Sequence, residues 1–546
     1  MPIDSSDERR CPNEKYPISE AVCRARISRH FPKCKTCKWR DLSDSPPPET
    51  ADPEVDLDAV FKSYDIRGLV KSQVHKTLAW KVGYGTAEYL LSLLPPDVRP
   101  KPEARPSGLG ELASRRSRGP AEPGWIVIGH DMRLTSEDLA RAVSDGVRAA
   151  GVGAMTIGEV ETPAVYFAVG SLKALGGIQV TASHNPIEYN GFKVTGTDCV
   201  PVGMGSGLEK IKEIVAGLAD THRPPIGPAQ QEDISSRYLQ HVLKFAGAIR
   251  PLLMVLDASN GMASKWVPSL LRKFNIKLES LNLERAGRFH HEPNPLKEAA
   301  LEELKQRVRA SGAALGVCFD GDADRVGFVD ETGETISNDL VAALLVPGFL
   351  AREPGATIVY DLRSSWALKE EILSHGGVPR REKVGHSHMK AALRETNAPF
   401  GAELSGHSYY RDNFFCDSAV ITLMEVLTVL GRDAEACLSE LVKPLRRYFT
   451  TGEVNFEVED KKGTIKRLAQ TFSDGKVDFL DGVTVEYDDW WFNCRPSNTE
   501  PLLRLTLEAK TKERKDEMYE KLIAILGEPN LSGLLTRPTP ARVSGG

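Results

Sequence analysis

The chain has 546 residues, of which 70 are Lys or Arg and 75 are Asp or Glu, so its formal net charge is −5. This near balance argues against nucleic acid or a membrane surface as a partner, and the length predicts several domains. The longest apolar stretch, "LVAALLVPGFLA" from residue 340, is too short to span a membrane, and the polar N-terminus lacks the apolar segment of a signal peptide. We therefore expect a cytoplasmic protein.

The N-terminal region is predicted to be a Cys-rich extension of residues 1–55 that ends in the linker "DSPPPETADPEVD". Four cysteines within 27 residues suit a tetrahedral metal site, and the last two have the C-x-x-C spacing of metal ligands. They are Cys11, Cys23, Cys34 and Cys37. Zn²⁺ is the preferred ion, with an iron–sulfur cluster or unliganded thiols as alternatives. Because this segment is locally basic, an acidic protein partner is a further candidate.

Strands and helices alternate after the linker. "WIVIG" (125–129) predicts a short strand, and "TSEDLARAVSDGVRAAG" predicts a helix with Thr135 and Asp138 at capping-box spacing. The preceding stretch, rich in Pro, Arg, Gly and Ser, predicts a disordered surface insertion near residues 95–123.

The alternation continues through the middle of the chain. "PLLMVLD" predicts a buried strand, and "ASKWVPSLLRKF" predicts a helix that breaks or begins near Pro268. Leu301, Leu304 and Val308 share one face of a later helix, which Gly312 can end. Strand–helix alternation of this kind predicts parallel sheets covered by helices.

The last 90 residues have a different pattern. "EVNFEVED", "GVTVEYDD", "WWFNC" and "LLRLTLEAK" each predict a strand, with few helices between them. We therefore expect a smaller α+β domain at this end of the chain.

The motif "FDGDADRVG" follows an apolar strand with three alternating carboxylates. Alternation in an extended loop turns Asp320, Asp322 and Asp324 to one side, where they repel one another unless a cation lies between them. Oxygen ligands without Cys or His favour Mg²⁺, Mn²⁺ or Ca²⁺. A calcium-binding EF-hand is the rival, since Glu331 falls at loop position 12. The Gly required at position 6 is Arg325, however, and a strand precedes the loop.

A second polar loop, "TASHNPIEYNGFK", follows the apolar lead Ile178–Val180. Loops at strand ends often display reactive groups, so Ser183 is a candidate nucleophile. The alternative is a polar turn, because turns favour these residue types.

A third loop, "CRPSNTEP", lies between two predicted strands. A guanidinium, hydroxyls and loop amides in one turn suit a dianionic phosphate. The residues are Arg495, Ser497, Asn498 and Thr499.

Two further loops could bind a sugar or an anion. Glu403, Ser405 and His407 alternate in "GAELSGHSYY", so they can project together toward a polyol. Gly385 and His386 in "EKVGHSHMK" stand where a strand leads into a helix, whose N-terminus can hold an anion. A surface histidine is the alternative for His386. Taken together, the loops predict phosphoryl transfer, which needs a cation and fixed positive groups around the phosphate.

The chain resembles the α-D-phosphohexomutase superfamily, most closely the bacterial phosphomannomutase/phosphoglucomutase branch. The resemblance covers about residues 57–527 and rests on "FKSYDIRG", "TASHNPIEYNGFK", "DGDADR", "VGHS", "GAELSGH" and "RPSNTEP", in the family's order. It implies a four-domain α/β architecture around a central cleft, with three related α/β domains and a C-terminal α+β domain behind the N-terminal Cys-rich extension. The expected segments are 1–55 (extension and linker), 56–230 (phosphoserine domain), 231–333 (metal-binding domain), 334–445 (sugar-binding domain), 446–528 (phosphate-binding domain) and 529–546 (tail).

The resemblance also implies a role for each motif residue. Ser183 would be the phosphoserine and a metal ligand, and Asp320, Asp322 and Asp324 would bind Mg²⁺ with it. The transfer site would be lined by Tyr64, Arg67, His184, Lys193 and Arg325, with Lys193 and His386 as candidates for proton transfer. Substrate binding would fall to Gly385, Glu403, Ser405, His407, Arg363, Arg495, Ser497, Asn498 and Thr499.

The implied reaction is reversible phosphoryl transfer between the 1- and 6-positions of mannose or glucose phosphate through a hexose 1,6-bisphosphate, which also serves as activator. Small hexose phosphates are the implied partners. The alternatives are a phosphoglucosamine mutase, a phosphatase, or an inactive mutase-like scaffold that acts through its N-terminal module. The chain departs from the family pattern at Arg363, where Lys is common, and at "FFCDSAV", which replaces an acidic, Gly-containing stretch.

Overall fold

The structure is a computed structural model that describes residues 52–95, 124–219, 223–497 and 502–530. The four N-terminal cysteines, residues 96–123 of the predicted insertion, Asn498 and Thr499 lie outside the described residues. Within the described ranges, no helix combines the length and the apolar character needed to cross a membrane.

The first domain is a six-stranded sheet covered by helices. Its order is β1-β5-β4-β2-β3-β6, in which β4, β2, β3 and β6 are parallel and β1 and β5 are antiparallel to their neighbours. The strands are β1 (Ile66–Leu69), β2 (Trp125–His130), β3 (Gly153–Glu159), β4 (Gly176–Val180), β5 (Tyr189–Thr195) and β6 (Ala229–Gln231). The helices are α1 (Leu57–Val60), α2 (Lys76–Leu93), α3 (Ser136–Ala149), α4 (Thr162–Leu172) and α5 (Leu208–Gly217), with a 3₁₀ turn at Thr197–Cys199. Helix α6 (Ser235–Leu243) follows β6 and leads into the second domain.

The second domain has a five-stranded sheet in the order β11-β10-β9-β7-β8. Its strands are β7 (Leu253–Asp257), β8 (Lys277–Leu281), β9 (Leu315–Phe319), β10 (Val326–Asp330) and β11 (Thr335–Ile336). Its helices are α7 (Ala263–Arg272) and α8 (Glu298–Ser311).

The third domain has a five-stranded sheet in the order β13-β12-β14-β15-β16. Its strands are β12 (Thr357–Asp361), β13 (Val378–Glu382), β14 (Phe400–Ala402), β15 (Ser408–Tyr410) and β16 (Cys416–Asp417). Its helices are α9 (Asn338–Arg352), α10 (Trp366–Ser374), α11 (His386–Thr396), α12 (Ala419–Leu430) and α13 (Leu438–Val442), with 3₁₀ turns at Arg411–Asn413 and Lys443–Leu445.

The fourth domain has an antiparallel sheet in the order β18-β19-β20-β21-β17-β22, with its own buried core. Its strands are β17 (Phe449–Glu457), β18 (Lys476–Asp478), β19 (Val483–Glu486), β20 (Trp490–Pro496), β21 (Leu502–Ala509) and β22 (Pro529–Asn530). Its helices are α14 (Lys461–Thr471) and α15 (Lys512–Leu526). The predicted architecture of three α/β domains and a C-terminal α+β domain is confirmed.

The first three sheets are mixed, whereas the sequence pattern predicted parallel ones. In each sheet a strand of the parallel set is joined by a short loop to an antiparallel strand: β4 to β5, β9 to β10, and β14 to β15. Parallel strands need a crossover of a dozen or more residues, which these loops are too short to provide. The three hairpins are equivalent, so the loops of Ser183, the three aspartates and Glu403 all follow the carboxyl end of a parallel strand.

Two local predictions about helices are wrong. Helix α7 runs through Pro268 without a break. Val267 and Leu270 are fully buried on this helix, so core packing outweighs the hydrogen bond that proline cannot make. Thr135 precedes α3 but makes no side-chain cap, because its Oγ1 accepts a hydrogen bond from Asn190 Nδ2 at 2.9 Å instead.

The predicted end of α8 is confirmed. Gly312 follows its last residue with φ +67°, in the left-handed region that glycine adopts at little cost.

Candidate active site

Ser183 lies on the β4–β5 loop with φ +51°, and only 1% of its surface is exposed. Its backbone N–H donates to Thr181 Oγ1 at 2.9 Å. Its hydroxyl lies 3.3 Å from His184 Nδ1 and donates to Asp320 Oδ2, also at 3.3 Å. A left-handed backbone is uncommon for serine, so the loop is held by its surroundings in a conformation that points the hydroxyl at the second domain.

Arg133 provides much of that support, and the sequence reasoning missed it. The side chain is buried, and its Nε donates to Asp131 Oδ2 at 3.1 Å. Its other nitrogens donate to four loop carbonyls at 2.7 to 3.0 Å, namely those of Ser183, Asn185, Pro186 and Tyr189. The sequence contains a signal for this role, because Asp131 and Arg133 come directly after β2. Strand β2 is the parallel neighbour of β4, so both strands end at the same sheet edge.

The three aspartates of the β9–β10 loop converge as predicted. All are buried, and one carboxylate oxygen of each lies within 4.8 Å of those of the others. Asp322 Oδ2 accepts from Thr162 Oγ1 at 2.5 Å, whereas buried Asp322 Oδ1 has no hydrogen-bond partner among the described residues. Three converging hard oxygens and an unsatisfied buried one fit Mg²⁺.

The EF-hand alternative does not fit this loop. Glu331 would have to turn toward the aspartates as the twelfth ligand. Its carboxylate instead accepts hydrogen bonds from the backbone N–H and hydroxyl of Ser439. The aspartates therefore form a site without it.

Cations from two domains surround the aspartates. Lys193 Nζ on β5 lies 2.7 Å from Asp322 Oδ2 and 2.5 Å from Asp324 Oδ2. Arg325 Nε lies 3.8 Å from Asp320 Oδ2. Burial and the charges of Asp324 and Asp322 raise the pKa of Asp320 well above its ordinary value. The raised pKa of Asp320 reflects repulsion among the three carboxylates, which a divalent ion between them would relieve.

His184 and Arg67 complete the first-domain side of the site. Burial, with the nearby charges of Arg325 and Arg67, lowers the pKa of His184 well below its ordinary value, so the imidazole is neutral at pH 7. Arg67 Nη1 donates to Asn185 Oδ1 at 2.6 Å. His184 therefore lies within the Ser183 loop, and Arg67 contacts the same loop from the neighbouring strand β1.

The predicted sugar-binding residues of the third domain are also brought together. His407 Nδ1 lies 3.0 Å from Ser405 Oγ and 3.8 Å from Glu403 Oε2. On its other side, His407 Nε2 lies 3.5 Å from Asp324 Oδ1 and 3.4 Å from Arg325 Nε. The His407 imidazole therefore connects the three-aspartate cluster to the polar loop that was predicted to bind a sugar.

Gly385 and His386 stand at the start of α11, as predicted. Gly385 N donates to Glu403 Oε1 at 2.8 Å. Its φ is +128°, and a Cβ there would lie 2.3 Å from the Tyr64 hydroxyl oxygen, so only glycine fits. The Tyr64 hydroxyl donates to Val384 O at 3.1 Å, and its ring packs edge-on against His386 with centroids 5.1 Å apart.

The ionisation of this pair follows from burial. Burial and the charge of Lys390 lower the pKa of His386 well below its ordinary value, so it is a neutral base at pH 7. Burial and the charge of Glu403 raise the pKa of Tyr64 to about 12. Tyr64 therefore remains a neutral hydrogen-bond donor.

A buried cluster of arginines joins the third and fourth domains. Glu453 on β17 accepts from Arg495 at 2.8 Å and from Arg504 at 2.9 Å, and it lies 3.3 Å from Arg363. Burial works against ionisation, but these three charges hold the pKa of Glu453 well below its ordinary value. Arg363 also pairs with Asp361 at 2.6 Å. Glu453 was missed, because nothing marks one glutamate of a strand as the partner of distant arginines.

The structure thus assembles one set of predicted residues and leaves another apart. Ser183, the aspartates, Lys193, Arg325 and His407 are linked by direct contacts, whereas Arg363 and Arg495 belong to the Glu453 cluster. Ser497 is described, and its N–H donates to Leu502 O across the β20–β21 hairpin. Chemically, the first set offers a hydroxyl beside a cation site, and the second offers guanidinium groups suited to a phosphate.

Family models of phosphoglucomutase/phosphomannomutase match four consecutive parts of the chain. They are alpha/beta/alpha domain I at residues 108–221, domain II at 236–333, domain III at 337–448, and the C-terminal domain at 453–525.

Individual proteins give the same result. The chain is 33% identical over 456 residues to phosphohexose mutases of Xanthomonas campestris pv. campestris (strain B100), covering 82% of this chain and 95% of that protein. It is 33% identical over 467 residues to phosphomannomutase of Escherichia coli (strain K12), covering 82% and 94%. Its fold is similar to that of a phosphoglucomutase/phosphomannomutase family protein from Burkholderia thailandensis, with a TM-score of 0.74, 29% identity, and coverage of 87% and 99% of the two chains.

Proposed function

The chain belongs to the phosphoglucomutase/phosphomannomutase family and is a phosphohexomutase, and on this premise we propose that Ser183 carries the phosphoryl group that it transfers. The substrates we propose are the 1- and 6-phosphates of mannose and glucose. The observation that carries the proposal is the position of the Ser183 hydroxyl, 3.3 Å from Asp320 at the edge of the three-aspartate cluster.

The proposed reaction has two phosphoryl transfers. A hydroxyl of the bound hexose phosphate attacks the phosphorus of phosphorylated Ser183, the bond from phosphorus to Ser183 Oγ breaks, and a hexose 1,6-bisphosphate forms. The bisphosphate turns around, and Ser183 Oγ attacks the other phosphorus, which releases the isomeric monophosphate. Free bisphosphate acts as an activator because it can phosphorylate an enzyme that has lost its phosphate.

We propose that Asp320, Asp322 and Asp324 hold Mg²⁺ together with an oxygen on Ser183. The ion supplies positive charge beside the phosphate, which stabilises charge in the transition state. Arg325 and Lys193 already lie at this cluster and add fixed positive charge from the protein. His184, whose Nδ1 lies 3.3 Å from the Ser183 hydroxyl, and Arg67, which donates to Asn185 of the same loop, would position that loop and the phosphate that it carries.

The proton of the attacking hydroxyl needs an acceptor, and His386 is the proposed group. His386 is neutral at pH 7 for the reasons given above and can accept a proton. Lys193, the other candidate, contacts two of the aspartates. Burial alone would lower the pKa of Lys193, but the charges of Asp322 and Asp324 raise it above its ordinary value, so Lys193 stays protonated and serves as a fixed cation. Tyr64 packs against His386 and limits its orientation.

The remaining loops are proposed to bind the substrate. Glu403, Ser405 and His407 would hold sugar hydroxyls. The backbone N–H of Gly385 donates to the Glu403 carboxylate, so Gly385 lies close enough to contact the same sugar. Arg495, Ser497, Asn498 and Thr499 would anchor the phosphate that is not reacting. Arg363 shares Glu453 with Arg495 and would add positive charge for the substrate.

The test is a mutase assay of the full-length protein with mannose 1-phosphate, Mg²⁺ and a trace of hexose 1,6-bisphosphate. Formation of the 6-phosphate with little release of inorganic phosphate supports the proposal. Phosphate release in place of isomerisation would indicate a phosphatase. Equal activity with and without bisphosphate in dephosphorylated enzyme would contradict the phosphoserine route.

The N-terminal extension and the location of the protein remain predictions. Zn²⁺ at Cys11, Cys23, Cys34 and Cys37, and an acidic protein partner for this segment, are proposed from the sequence alone. Elemental analysis of the full-length protein under reducing conditions tests the metal, with Cys34→Ser as the variant that should lose it. The cytoplasmic location is likewise proposed from the sequence.

A further inference from the structure

Two cysteines of different domains meet in a buried contact. Cys199 ends the 3₁₀ turn that follows β5, and Cys416 begins β16. Both are free thiols without solvent exposure. Cys416 Sγ lies 3.8 Å from the carbonyl oxygen of Cys199, and Cys199 Sγ donates to the carbonyl oxygen of Tyr166 at 3.1 Å. The first and third domains therefore touch at this pair of cysteines.

The backbone is strained on both sides of this contact. Asp198 and Cys199 have φ of +55° and +62°, and Phe414 and Phe415 have φ of +58° and +60°. Side chains with a Cβ rarely adopt the left-handed region, and such residues persist where the surroundings hold them. Four of them at one contact mark it as a specific arrangement.

Helix α11 holds the two strained segments together. Arg394 Nη2 donates to the carbonyl oxygens of Asp198, Cys199 and Phe414 at 2.9, 3.1 and 3.0 Å. This one guanidinium therefore fixes the cysteine-bearing turn of the first domain against that of the third.

The contact is connected to the site by one residue. Asp417 follows Cys416 directly, and its Oδ1 lies 2.7 Å from Lys390 Nζ on α11. Its Oδ2 lies 3.8 Å from His407 Nε2, and the same imidazole nitrogen lies 3.5 Å from Asp324. A displacement of Cys416 would therefore move the carboxylate that lies behind His407.

We propose that Cys199 and Cys416 are a redox modification site whose reversible disulfide lowers the mutase activity. The oxidant is a peroxide. One thiolate attacks a peroxide oxygen, the O–O bond breaks, and a sulfenic acid and one water form. The second thiol attacks the sulfenic sulfur, the S–S bond forms, and the second water leaves. Two sulfurs are thus oxidised and one peroxide is reduced to two waters.

Cys416 is suited to react first. Burial raises the pKa of a thiol, but the neighbouring Cys199 thiol and the charge of Lys390 hold the pKa of Cys416 below its ordinary value. The neighbouring Cys416 thiol and burial raise the pKa of Cys199 well above its ordinary value. The thiolate is the nucleophile in this chemistry, so the difference sets the order of the steps.

The bond changes both activity and stability. An S–S bond of ~2.0 Å is shorter than any thiol contact, so the two turns must close and Asp417 must follow Cys416. The disulfide also joins residues 217 positions apart, and closing so long a loop restricts the unfolded chain. Activity should therefore fall while the melting temperature rises, a combination that ordinary oxidative damage does not produce.

The experiment treats the full-length enzyme with hydrogen peroxide, removes the peroxide with catalase, and measures mutase activity before and after dithiothreitol. Activity should fall by about tenfold or more, since a displacement of about 1 Å in a site can cost about a hundredfold, and reductant should restore it. Non-reducing peptide mapping should show the Cys199–Cys416 linkage, and the melting temperature of the oxidised protein should rise.

Variants separate this pair from the other cysteines. Cys199→Ala and Cys416→Ala should keep their activity when reduced and should resist peroxide, whereas Cys437→Ser, which removes an exposed thiol, should respond like the wild type. Equal loss of activity in Cys199→Ala and wild type would overturn the proposal. So would inactivated wild-type enzyme without the linked peptide, a result that does not depend on how well the variants fold.

Discussion

The Ser183 hydroxyl of the first domain donates a hydrogen bond to Asp320 of the second, with 3.3 Å between Oγ and Oδ2. Each residue lies on a loop that joins a parallel strand to an antiparallel one, so the same hairpin in two related sheets presents the two halves of one site. The proposed phosphoserine and the proposed metal site are adjacent for that reason, and the site requires both domains.

Ser183→Ala should remove most of the turnover, because the hydroxyl that accepts the phosphoryl group is gone. Alanine keeps the Cβ and the left-handed backbone, so the melting temperature should change little. Intact-mass measurement should find one added phosphate on the wild type and none on the variant. Ser473→Ala, at an exposed serine of the fourth domain, is the control. A fully active Ser183→Ala enzyme would disprove the mechanism.

Asp322→Asn should weaken Mg²⁺ binding by about tenfold or more, about 1.4 kcal/mol, because one of three negative ligands is lost. Titration of activity against Mg²⁺ measures the change, and EDTA should abolish wild-type activity. Glu331→Gln is a matched control, since Glu331 is bonded to Ser439 and not to the metal site. Wild-type turnover that persists in EDTA would refute the metal assignment.

Arg133→Ala should destabilise the protein by about 3–5 kcal/mol, the usual cost of removing one partner of a buried ion pair. It leaves four loop carbonyls without the guanidinium that donates to them and Asp131 without its cationic partner. Arg133→Lys keeps the positive charge but lacks the guanidinium nitrogens that donate to the loop carbonyls. This variant should therefore be more stable than Arg133→Ala but should still have a lower kcat/KM than the wild type. Urea unfolding and steady-state kinetics separate the two effects. Arg141→Ala, at an exposed salt bridge, should be neutral; equal effects at both sites would contradict the role of Arg133.

Glu161 should make stability depend on pH. Burial raises its pKa from 4.5 to about 8, although the Tyr238 hydroxyl donates a hydrogen bond to it. The folded state thus binds the Glu161 proton more tightly than the unfolded state does. The contribution of protonated Glu161 to the free energy of unfolding is therefore full below pH 4.5 and is lost as the pH rises toward 8.

Glu161→Gln cannot ionise and should escape this loss. Relative to the wild type, its free energy of unfolding should rise by about 1.4 kcal/mol for each pH unit between 5 and 8. Urea unfolding of both proteins at pH 5 and 8 measures this. Parallel pH profiles for the two proteins would show that Glu161 ionises normally.

Mannose and glucose phosphates should both be good substrates. The two sugars differ in the orientation of the 2-hydroxyl. If Glu403 and Ser405 bind the 3- and 4-hydroxyls, these two residues do not distinguish the two orientations of the 2-hydroxyl. We expect kcat/KM values within about a hundredfold of each other, about 3 kcal/mol. Glucosamine 6-phosphate should be poorer, because no acidic group is assigned to its 2-ammonium. Side-by-side assays decide, and a preference for glucosamine phosphate would indicate a phosphoglucosamine mutase.

The local chemistry of the site could be predicted from the sequence. Alternating aspartates after an apolar strand converge whatever surrounds them, because side-chain direction in an extended segment follows from the backbone alone. The same holds for Glu403, Ser405 and His407, and for Gly385 at the start of its helix. Each of these sets lies within one loop, so the spacing of the residues in the sequence was sufficient to predict that their side chains lie together.

Contacts between distant segments were decided by the tertiary structure. Arg133 supports the Ser183 loop only because β2 and β4 are neighbours in the sheet, and Glu453 holds Arg363 and Arg495 only because two domains meet there. Thr135 makes a hydrogen bond with Asn190 in place of the predicted helix cap, and core packing keeps Pro268 inside its helix. In both cases long-range contacts outweigh local preferences of about 1–3 kcal/mol. The Cys199–Cys416 contact joins residues 217 positions apart, and no spacing rule connects them.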